Sequence, residues 1–254
     1  MLQQLDPQQF PAIEESLSQL IGPASFEWLY HFETATNRIV AYSSQNLKDC
    51  MIIFDEVNVL LVTSSQIVLQ DCLKKLNVQK SYAFRCPEWM ASTVLERFPP
   101  RNIEHGGVVL LTCTVNAKDF TKYSGSRHLI RILTDDDADE VIAHSGNHWS
   151  SEFIRVRIRK GSFYGVLEEN ELASWLGTLW ESKKACEIGF AFTTDEYRRK
   201  GMMKNLTSIL TEEILKKGKI PLLHTVQDNS VAIRTSQSLG YSLKAREWAY
   251  FYNP

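Results

Sequence analysis

A basic segment that contains glycine follows the apolar run Ile188 to Phe192. The run is typical of a strand buried on both faces. Arg198, Arg199, Lys200 and Gly201 come next, and a helix is predicted after them. Its apolar face would carry Leu206, Ile209, Leu210 and Ile214. The first N–H groups of a helix lack intrahelical partners and attract anions, and glycine allows a phosphate to approach the backbone. The segment by itself fits either a phosphate-binding loop or a solvated turn.

The same segment resembles the acyl-CoA signature of the GNAT N-acetyltransferase superfamily. That signature is Arg or Gln, two residues, Gly, one residue, then Gly or Ala. Here Met203 stands where the last small residue is usual. The glycine N-acyltransferase-like branch is also similar, because it carries an EYR-x-x-G loop with a bulky last residue. Glu196, Tyr197, Arg198 and Gly201 match that loop.

A second segment, DNSVAIRTSQSLGY, resembles another part of the GNAT pattern: Asn, two residues, Ala, and a terminal Leu-Gly-Tyr. The matching residues are Asn229, Ala232, Leu239, Gly240 and Tyr241. The order of elements is also similar to a GNAT core. A strand and a helix capped at Thr134 come first, then a hairpin around Glu168 to Asn170, the central strand, the basic segment and a helix.

The resemblance implies that acetyl-CoA or a related acyl-CoA is the co-substrate. Backbone groups of the central strand would pair with the pantetheine arm, and amides of the basic segment would hold the pyrophosphate. The cofactor-binding residues expected on this basis are Ala191, Phe192, Thr193, Arg198, Arg199, Lys200, Gly201, Met202, Met203, Lys204 and Asn229.

Glu187 is the general base that the resemblance implies. Strand alternation places it on the same face as Gly189 and Ala191, whose small side chains would leave room for a substrate. The competing interpretation is a surface glutamate at a strand end, paired with a nearby lysine. His224, at the end of a later strand, is the second candidate for the base.

The general acid is where the sequence departs most from the family pattern. Ser236 occupies the position of the tyrosine that many GNAT enzymes use. Ser236 could act through water, Tyr241 or Tyr250 could replace it, or the thiolate could leave unassisted. Acyl-CoA binding without efficient turnover is a further alternative. Cys186 borders the site, but no histidine motif supports it as a nucleophile.

Composition limits the class of protein. The chain has 254 residues, 44% hydrophobic and 23% charged, with a net charge of -2. This is typical of a globular protein and argues against a nucleic-acid-binding surface. No apolar run would span a membrane, and the N-terminus lacks signal-peptide features, so we expect a cytoplasmic protein. The five cysteines are scattered, which predicts reduced thiols and no metal site.

Two parts are predicted, with a break at the Ser124 to Ser126 segment. Residues 126–254 would form a GNAT acetyltransferase domain, and residues 1–125 a smaller α/β domain, either a degenerate GNAT-like half or a cap over the acceptor. The fold class is therefore α/β (α+β). Within the second part, Ser150 to Lys160 fits a helix or a strand.

The expected function is direct transfer of an acetyl or other acyl group from acyl-CoA to a small-molecule amine or a peptide amine. A catalytically weak acyl-CoA sensor or interaction module is the alternative. We expect neither nucleic acid nor a membrane as partner.

Overall fold

A computed structural model describes residues 2–100, 107–125, 128–145, 149–160 and 163–254. The chain divides into two compact units. The first comprises Met1–Thr112, Thr225–Asn229 and Lys244–Pro254, and the second comprises Cys113–His224 and Ser230–Leu243. The mixed α/β fold class is confirmed.

The first unit is a sheet with helices on both faces. Its strands are β1 (Gln3–Gln4), β2 (Ile39–Ser43), β3 (Cys50–Phe54), β4 (Asn58–Val62), β5 (Tyr82–Cys86) and the larger parts of β6 (Val108–Thr114) and β12 (Ser242–Tyr252). Their order in the sheet is β1-β2-β3-β4-β5-β12-β6. The helices are α1 (Phe10–Leu20), α2 (Phe26–Thr34), α3 (Gln66–Lys74) and α4 (Ala91–Arg97). Helices α1 and α2 cover one apolar cluster, and α3 and α4 cover the other.

The second unit contains both the basic segment and the central strand. Its strands are β7 (Leu129–Ile132), β8 (Phe163–Glu168), β9 (Glu171–Glu181), β10 (Ala185–Thr193) and the larger part of β11 (Ile220–Val226). Their order is β11-β10-β9-β8-β7, and β10 and β11 are parallel. The helices are α5 (Ala138–His144), α6 (Ser151–Arg159), α7 (Met202–Lys216) and α8 (Ser230–Gln237).

This division differs from a single break at residues 125 and 126. The C-terminal strand β12 pairs with β5, from Trp248 opposite Cys86 to Tyr252 opposite Tyr82, so the end of the chain belongs to the first unit. A cut in the sequence therefore cannot separate the two units. Residues 126 and 127 of the predicted break lie outside the described residues. Independent folding of the two predicted domains stays a prediction.

Helix α6 settles the ambiguous segment in favour of a helix. The Ser150 hydroxyl accepts a hydrogen bond from the Phe153 N–H at 3.2 Å, as an N-cap does. Helical spacing also buries Ile154 and Ile158 together in one apolar cluster. On the exposed side, Arg155 lies 2.5 Å from an Asp139 carboxylate oxygen. A strand would separate these partners.

The acidic turn before α5 is a helix cap. Thr134 and Asp137 form a capping box, as predicted for Thr134. Arg131 donates to both Asp137 carboxylate oxygens, at 2.7 and 2.6 Å. These bonds hold the pKa of the Asp137 carboxyl below its usual range.

Helix α7 is the long helix that the sequence predicts. It begins after Gly201, whose φ of 83° is left-handed, and a second left-handed glycine, Gly218, follows its end. Met202, Leu206 and Leu210 pack into one apolar cluster with β10. Each fully buried side chain of this size stabilises the fold by about 1.5–3 kcal/mol, so this face fixes the helix and its N-terminus.

Strand β10 contains a bulge. Phe190 has a φ of 54°, and the pairing with β9 shifts between Gly189 and Phe192. Cys186 packs with the α7 cluster, whereas Phe190 and Phe192 pack with the α6 cluster, so even-numbered side chains change face at the bulge. The predicted alternation is therefore wrong beyond Gly189. The strand is also buried only as far as Ile188, and not on both faces throughout.

Candidate active site

The ladder between β10 and β11 ends before either strand does. Its last recorded pair is Ile188 with Leu223, although β10 continues to Thr193. Beyond Ile188, the edge of β10 that includes Ala191, Phe192 and Thr193 pairs with no described residue of β11. Binding of an extended ligand to this backbone stays a prediction. Because of the bulge, Ala191 points away from the face that carries Glu187. The prediction that they share a face is wrong.

Two carbonyls at the end of β10 already accept hydrogen bonds. The Ser174 hydroxyl donates to the Phe192 carbonyl at 3.0 Å, and Arg198 Nε donates to the Thr193 carbonyl at 3.1 Å. A ligand along this edge would therefore pair chiefly with backbone N–H groups of β10 and with the backbone of Ala191.

Glu187 and His224 form a buried pair, although the sequence presents them as separate candidates for the base. Glu187 lies opposite Leu222 in the parallel ladder, so His224, two residues further along β11, is on the same face. The two atoms His224 Nδ1 and Glu187 Oε1 are 2.9 Å apart, with side chains 10% and 7% exposed. A carboxylate oxygen only accepts, so Nδ1–H is the donor.

The second oxygen of Glu187 is left for another partner. Oε2 is buried, and no protein atom of the described residues donates a hydrogen bond to it. A buried carboxylate oxygen without a donor is costly, and a water or an ammonium group would satisfy it. This arrangement argues against the interpretation of Glu187 as a surface residue.

An aromatic wall lies on the same side of the sheet as Glu187. Trp149 and Phe153 stack with ring centroids 5.0 Å apart, and Phe190 lies 5.8 Å from Trp149. The buried Arg157 guanidinium sits over the rings of Phe153 and Trp180, 5.1 Å from each centroid. The wall is apolar with one cationic group in it.

The basic loop, which we define as residues 198–201, has the backbone of an anion site. Arg199 and Gly201 have φ values of 64° and 83°. Met202, Met203 and Lys204 follow in the first turn of α7, where N–H groups have no intrahelical acceptors. Such amides and the positive end of the helix dipole favour a phosphate.

Side chains of the loop are held in different ways. Arg198 turns back to Thr193 and to Asp195, which is 2.7 Å away. Lys200 Nζ lies 4.6 Å from the ring centroid of Tyr197, and Lys204 Nζ lies 4.8 Å from that of Tyr123. Arg199 is exposed.

The two methionines after Gly201 are turned into the protein. Met202 is 1% exposed, and Met203 packs against the same apolar cluster of β10 and α7. Met203 therefore packs with the core, although it replaces a small residue in the pattern.

Neither Ser236, on the last helix, nor Tyr241, which follows that helix, has a free hydroxyl. Ser236 is 2% exposed and donates to the Ile233 carbonyl at 2.9 Å. The Tyr241 hydroxyl lies 2.7 Å from Thr211 Oγ1, and burial raises the pKa of Tyr241 far above its usual value. Both placements argue against proton donation to a thiolate. Asn229 and Tyr250 belong to the first unit, where the Tyr250 hydroxyl donates to the Phe98 carbonyl.

Cys186 is also unsuited to nucleophilic attack. It is 2% exposed, and burial raises the pKa of its thiol to about 11. The thiolate is the reactive form, so a buried thiol of this kind is inert.

Two residues that contact the basic loop were not predicted as site residues. The Tyr123 hydroxyl lies 2.8 Å from the position that a Cβ at Gly201 would occupy. His128 contacts the carbonyl of Lys200 and the carboxylate of Glu168. Nothing local in the sequence marks either residue, because both reach the loop from a distant part of the chain.

Among the residues that the structure describes, no group of three potential metal ligands lies together. In the same residues, no helix combines the length and the apolar character needed to cross a membrane.

Comparison with solved structures identifies the fold. A Drosophila protein has a TM-score of 0.74 at 14% identity, covering 98% of this chain and 97% of its own. A GCN5-related N-acetyltransferase from Sphaerobacter thermophilus has a TM-score of 0.66 at 12% identity, covering 99% of this chain and 94% of its own. A GNAT-family acetyltransferase from Colwellia psychrerythraea has 0.61 at 13%, covering 100% of both chains.

The chain therefore has the GNAT fold, and the resemblance seen in the sequence is confirmed at the level of the fold. Residues 163–249 match the model of the family described as FR47-like protein. This range contains β10, the basic loop and α7. A search of curated proteins finds no match.

Proposed function

We propose that this protein transfers an acyl group from acyl-CoA to an amine by direct attack. The observation that carries the proposal is the Glu187–His224 pair, whose buried Oε2 has no donor among the described residues. It lies on β10 next to the point where the ladder with β11 ends. A base is thus held beside the backbone edge that would bind the thioester.

Each residue has a defined part in this reaction. The loop amides and Gly201 hold the diphosphate, and the edge of β10 aligns the pantetheine arm. His224 Nδ1–H fixes the Glu187 carboxylate, and Oε2 accepts the proton of the attacking ammonium. The amine nitrogen then forms a bond to the thioester carbon, and the C–S bond breaks. Since the hydroxyls of Ser236 and Tyr241 bond within the protein, the thiolate leaves without their help. The nitrogen loses its second proton to water, and water in turn protonates the thiolate.

The acceptor would lie against the aromatic wall, on the face that carries Glu187. The proposal includes a small-molecule amine or a peptide amine as acceptor. The buried thiol of Cys186 supports a route without a covalent enzyme intermediate.

The test is release of free CoA from acetyl-CoA in the presence of a panel of amines, including amino acids, aliphatic amines and short peptides. Glu187→Gln should lower the rate about 100-fold or more, since general base catalysis contributes roughly 10²–10⁴-fold. It should leave the Kd for CoA unchanged. Glu181→Gln is the matched control, because Glu181 ends β9 in a partly exposed pair with Lys219. Full activity of Glu187→Gln would show that the base assignment is wrong.

A second candidate function is an acyl-CoA sensor that turns over slowly. It is favoured by Ser236 and Tyr241, whose hydroxyls bond within the protein. A sensor would bind CoA and acetyl-CoA but release no CoA with any amine of the panel. CoA release that depends on an amine would exclude it.

A further inference from the structure

His128 lies directly before β7 and reaches across to the basic loop. Its Nδ1 atom is 2.6 Å from Glu168 Oε1, and its Nε2 atom is 3.2 Å from the carbonyl oxygen of Lys200. The side chains of His128 and Glu168 are only 19% and 32% exposed. The ring therefore bridges the β8–β9 hairpin and the loop.

Both partners of this ring are acceptors. A carboxylate oxygen and a peptide carbonyl oxygen accept hydrogen bonds and donate none. A neutral imidazole has one N–H, so it can satisfy only one of the two, and its other nitrogen then faces an oxygen lone pair. The imidazolium form donates to both. The shorter contact, to the Glu168 carboxylate, would take the single N–H of a neutral ring, so the bridge to Lys200 depends on the charge of His128.

The Lys200 carbonyl also sets the direction of the next amide. A trans peptide is planar, so its C=O and the N–H of the following residue point in opposite directions. When His128 holds the Lys200 oxygen, the Gly201 N–H is turned away from His128. The left-handed φ values of Arg199 and Gly201 show that the chain reverses around this peptide.

We propose that His128 is a positioning residue for diphosphate binding: its imidazolium, held by Glu168, fixes the Lys200–Gly201 peptide and presents the Gly201 N–H to the ligand. This inference rests on the proposed function, because it assumes that the loop binds acyl-CoA. It adds a dependence on pH, since loss of the ring proton releases the Lys200 carbonyl and weakens binding.

Other charged or titratable groups belong to the segments that carry the bridge or adjoin it. They are Glu168, Glu169 and Glu171 of the hairpin, Glu196, Tyr197, Arg198, Arg199 and Lys200 before α7, Lys204 in its first turn, and Tyr123 beside Gly201. The carboxylates favour the imidazolium and the basic groups oppose it. A variant of His128 is therefore needed to assign any dependence on pH.

The experiment is calorimetric titration of the full chain with 3′-dephospho-CoA at a series of pH values. This probe keeps the diphosphate but lacks the 3′-phosphate, which itself titrates near neutral pH. We expect wild-type affinity to fall about tenfold between the low and the high end of the pH series. His128→Ala should bind about tenfold more weakly at the low end and show no such decline.

Two further variants sharpen the test. Glu168→Gln keeps an acceptor for Nδ1–H but removes the charge that favours the imidazolium, so the decline should move to lower pH. Glu171→Gln, in the same hairpin and exposed, is the comparison variant and should move the decline less than Glu168→Gln, because it is the Glu168 carboxylate that lies 2.6 Å from the ring. Thermal unfolding of each variant establishes that it is folded.

The outcomes separate this inference from the proposed function. If the wild type binds neither CoA nor the probe at any pH, the proposed function fails, and the inference fails with it. If the wild type binds but folded His128→Ala has the same affinity and the same decline with pH, only the inference is wrong. A weaker His128→Ala that keeps the full wild-type decline would also overturn it, since another group would then be titrating.

Discussion

Two glycines flank α7, and replacing each of them in turn distinguishes an effect on CoA binding by the basic loop from an effect on the stability of the protein. Gly201 precedes the helix with a φ of 83°, and Gly218 follows it with a φ of 71°. A left-handed conformation costs an alanine about 1–2 kcal/mol, and the lower entropy of the unfolded alanine chain offsets about 0.4–1 kcal/mol. Gly201→Ala and Gly218→Ala should each lower the free energy of unfolding by about 1 kcal/mol.

The two glycines differ in the space around them. A Cβ at Gly218 meets no atom within 4 Å, whereas a Cβ at Gly201 would lie 2.8 Å from the Tyr123 hydroxyl. That hydroxyl is the end of a side chain that can rotate, so the added cost to stability is small. The methyl group would, however, occupy the space through which a phosphate approaches the loop amides.

Binding should therefore distinguish the variants. A hydrogen bond to a charged group contributes about 1.5–3 kcal/mol, so disturbing one loop amide should weaken CoA binding about 10- to 100-fold. Urea unfolding gives the stability, and calorimetric titration with CoA gives the Kd. Gly218→Ala should bind as wild type. If both variants bind CoA as tightly as the wild type, the assignment of the loop is refuted. If both lose the same affinity relative to the wild type, helix stability alone controls binding.

Three further predictions concern neighbouring parts of the second unit. Cys186→Ala should keep CoA release near the wild-type rate, because burial raises the pKa of this thiol to about 11; loss of activity in a folded variant would revive a covalent route. Gly240→Ala should be far more destabilising, by about 3 kcal/mol or more in urea unfolding, since its Cβ would lie 1.9 Å from the Asp119 carbonyl oxygen and φ is 92°. Asp137 has a lowered pKa through Arg131, so its contribution to stability is present above about pH 4 and is lost as the pH falls. Asp137→Asn should therefore lower the urea midpoint at neutral pH and reduce its change on acidification.

The elements that the sequence predicted well are those fixed by local pattern. The hairpin around Glu169 and Asn170 forms where polar residues interrupt two apolar runs, and both residues have positive φ. Thr134 caps its turn through contacts within three residues. Gly201 precedes the helix as predicted, because only the backbone at its own position matters there.

The bulge in β10 could not be predicted in the same way. Phe190 has no sequence feature that favours a left-handed φ, which is unusual for a bulky residue. Its ring packs against Phe163, with centroids 5.1 Å apart, so tertiary contacts fix the conformation. A simple alternation carried past Gly189 puts Ala191 on the wrong face.

The pairing of Glu187 with His224 also could not be predicted from the sequence. Both residue types were recognised as chemically relevant, but they are 37 positions apart in the sequence. Only the parallel register of β10 and β11 brings them to one face. Spacing along a chain cannot give that register, because it is set where two strands meet.

The hydrogen-bonded hydroxyls of Ser236 and Tyr241 raise the question of which step needs more help from the protein, deprotonation of the amine or departure of the thiolate. A protonated amine titrates at about pH 8–10, and a thiol at about pH 8.5. Near neutral pH, removing the ammonium proton therefore requires a base, whereas a thiolate leaves with little need for an acid. In the proposed reaction, Glu187 is the base that this chemistry needs more, and the acid for which no residue is proposed is the group that it needs less. The internal hydrogen bonds of Ser236 and Tyr241, which favour a sensor, are thus also compatible with an enzyme, and the decisive comparison is CoA release by wild type and Glu187→Gln.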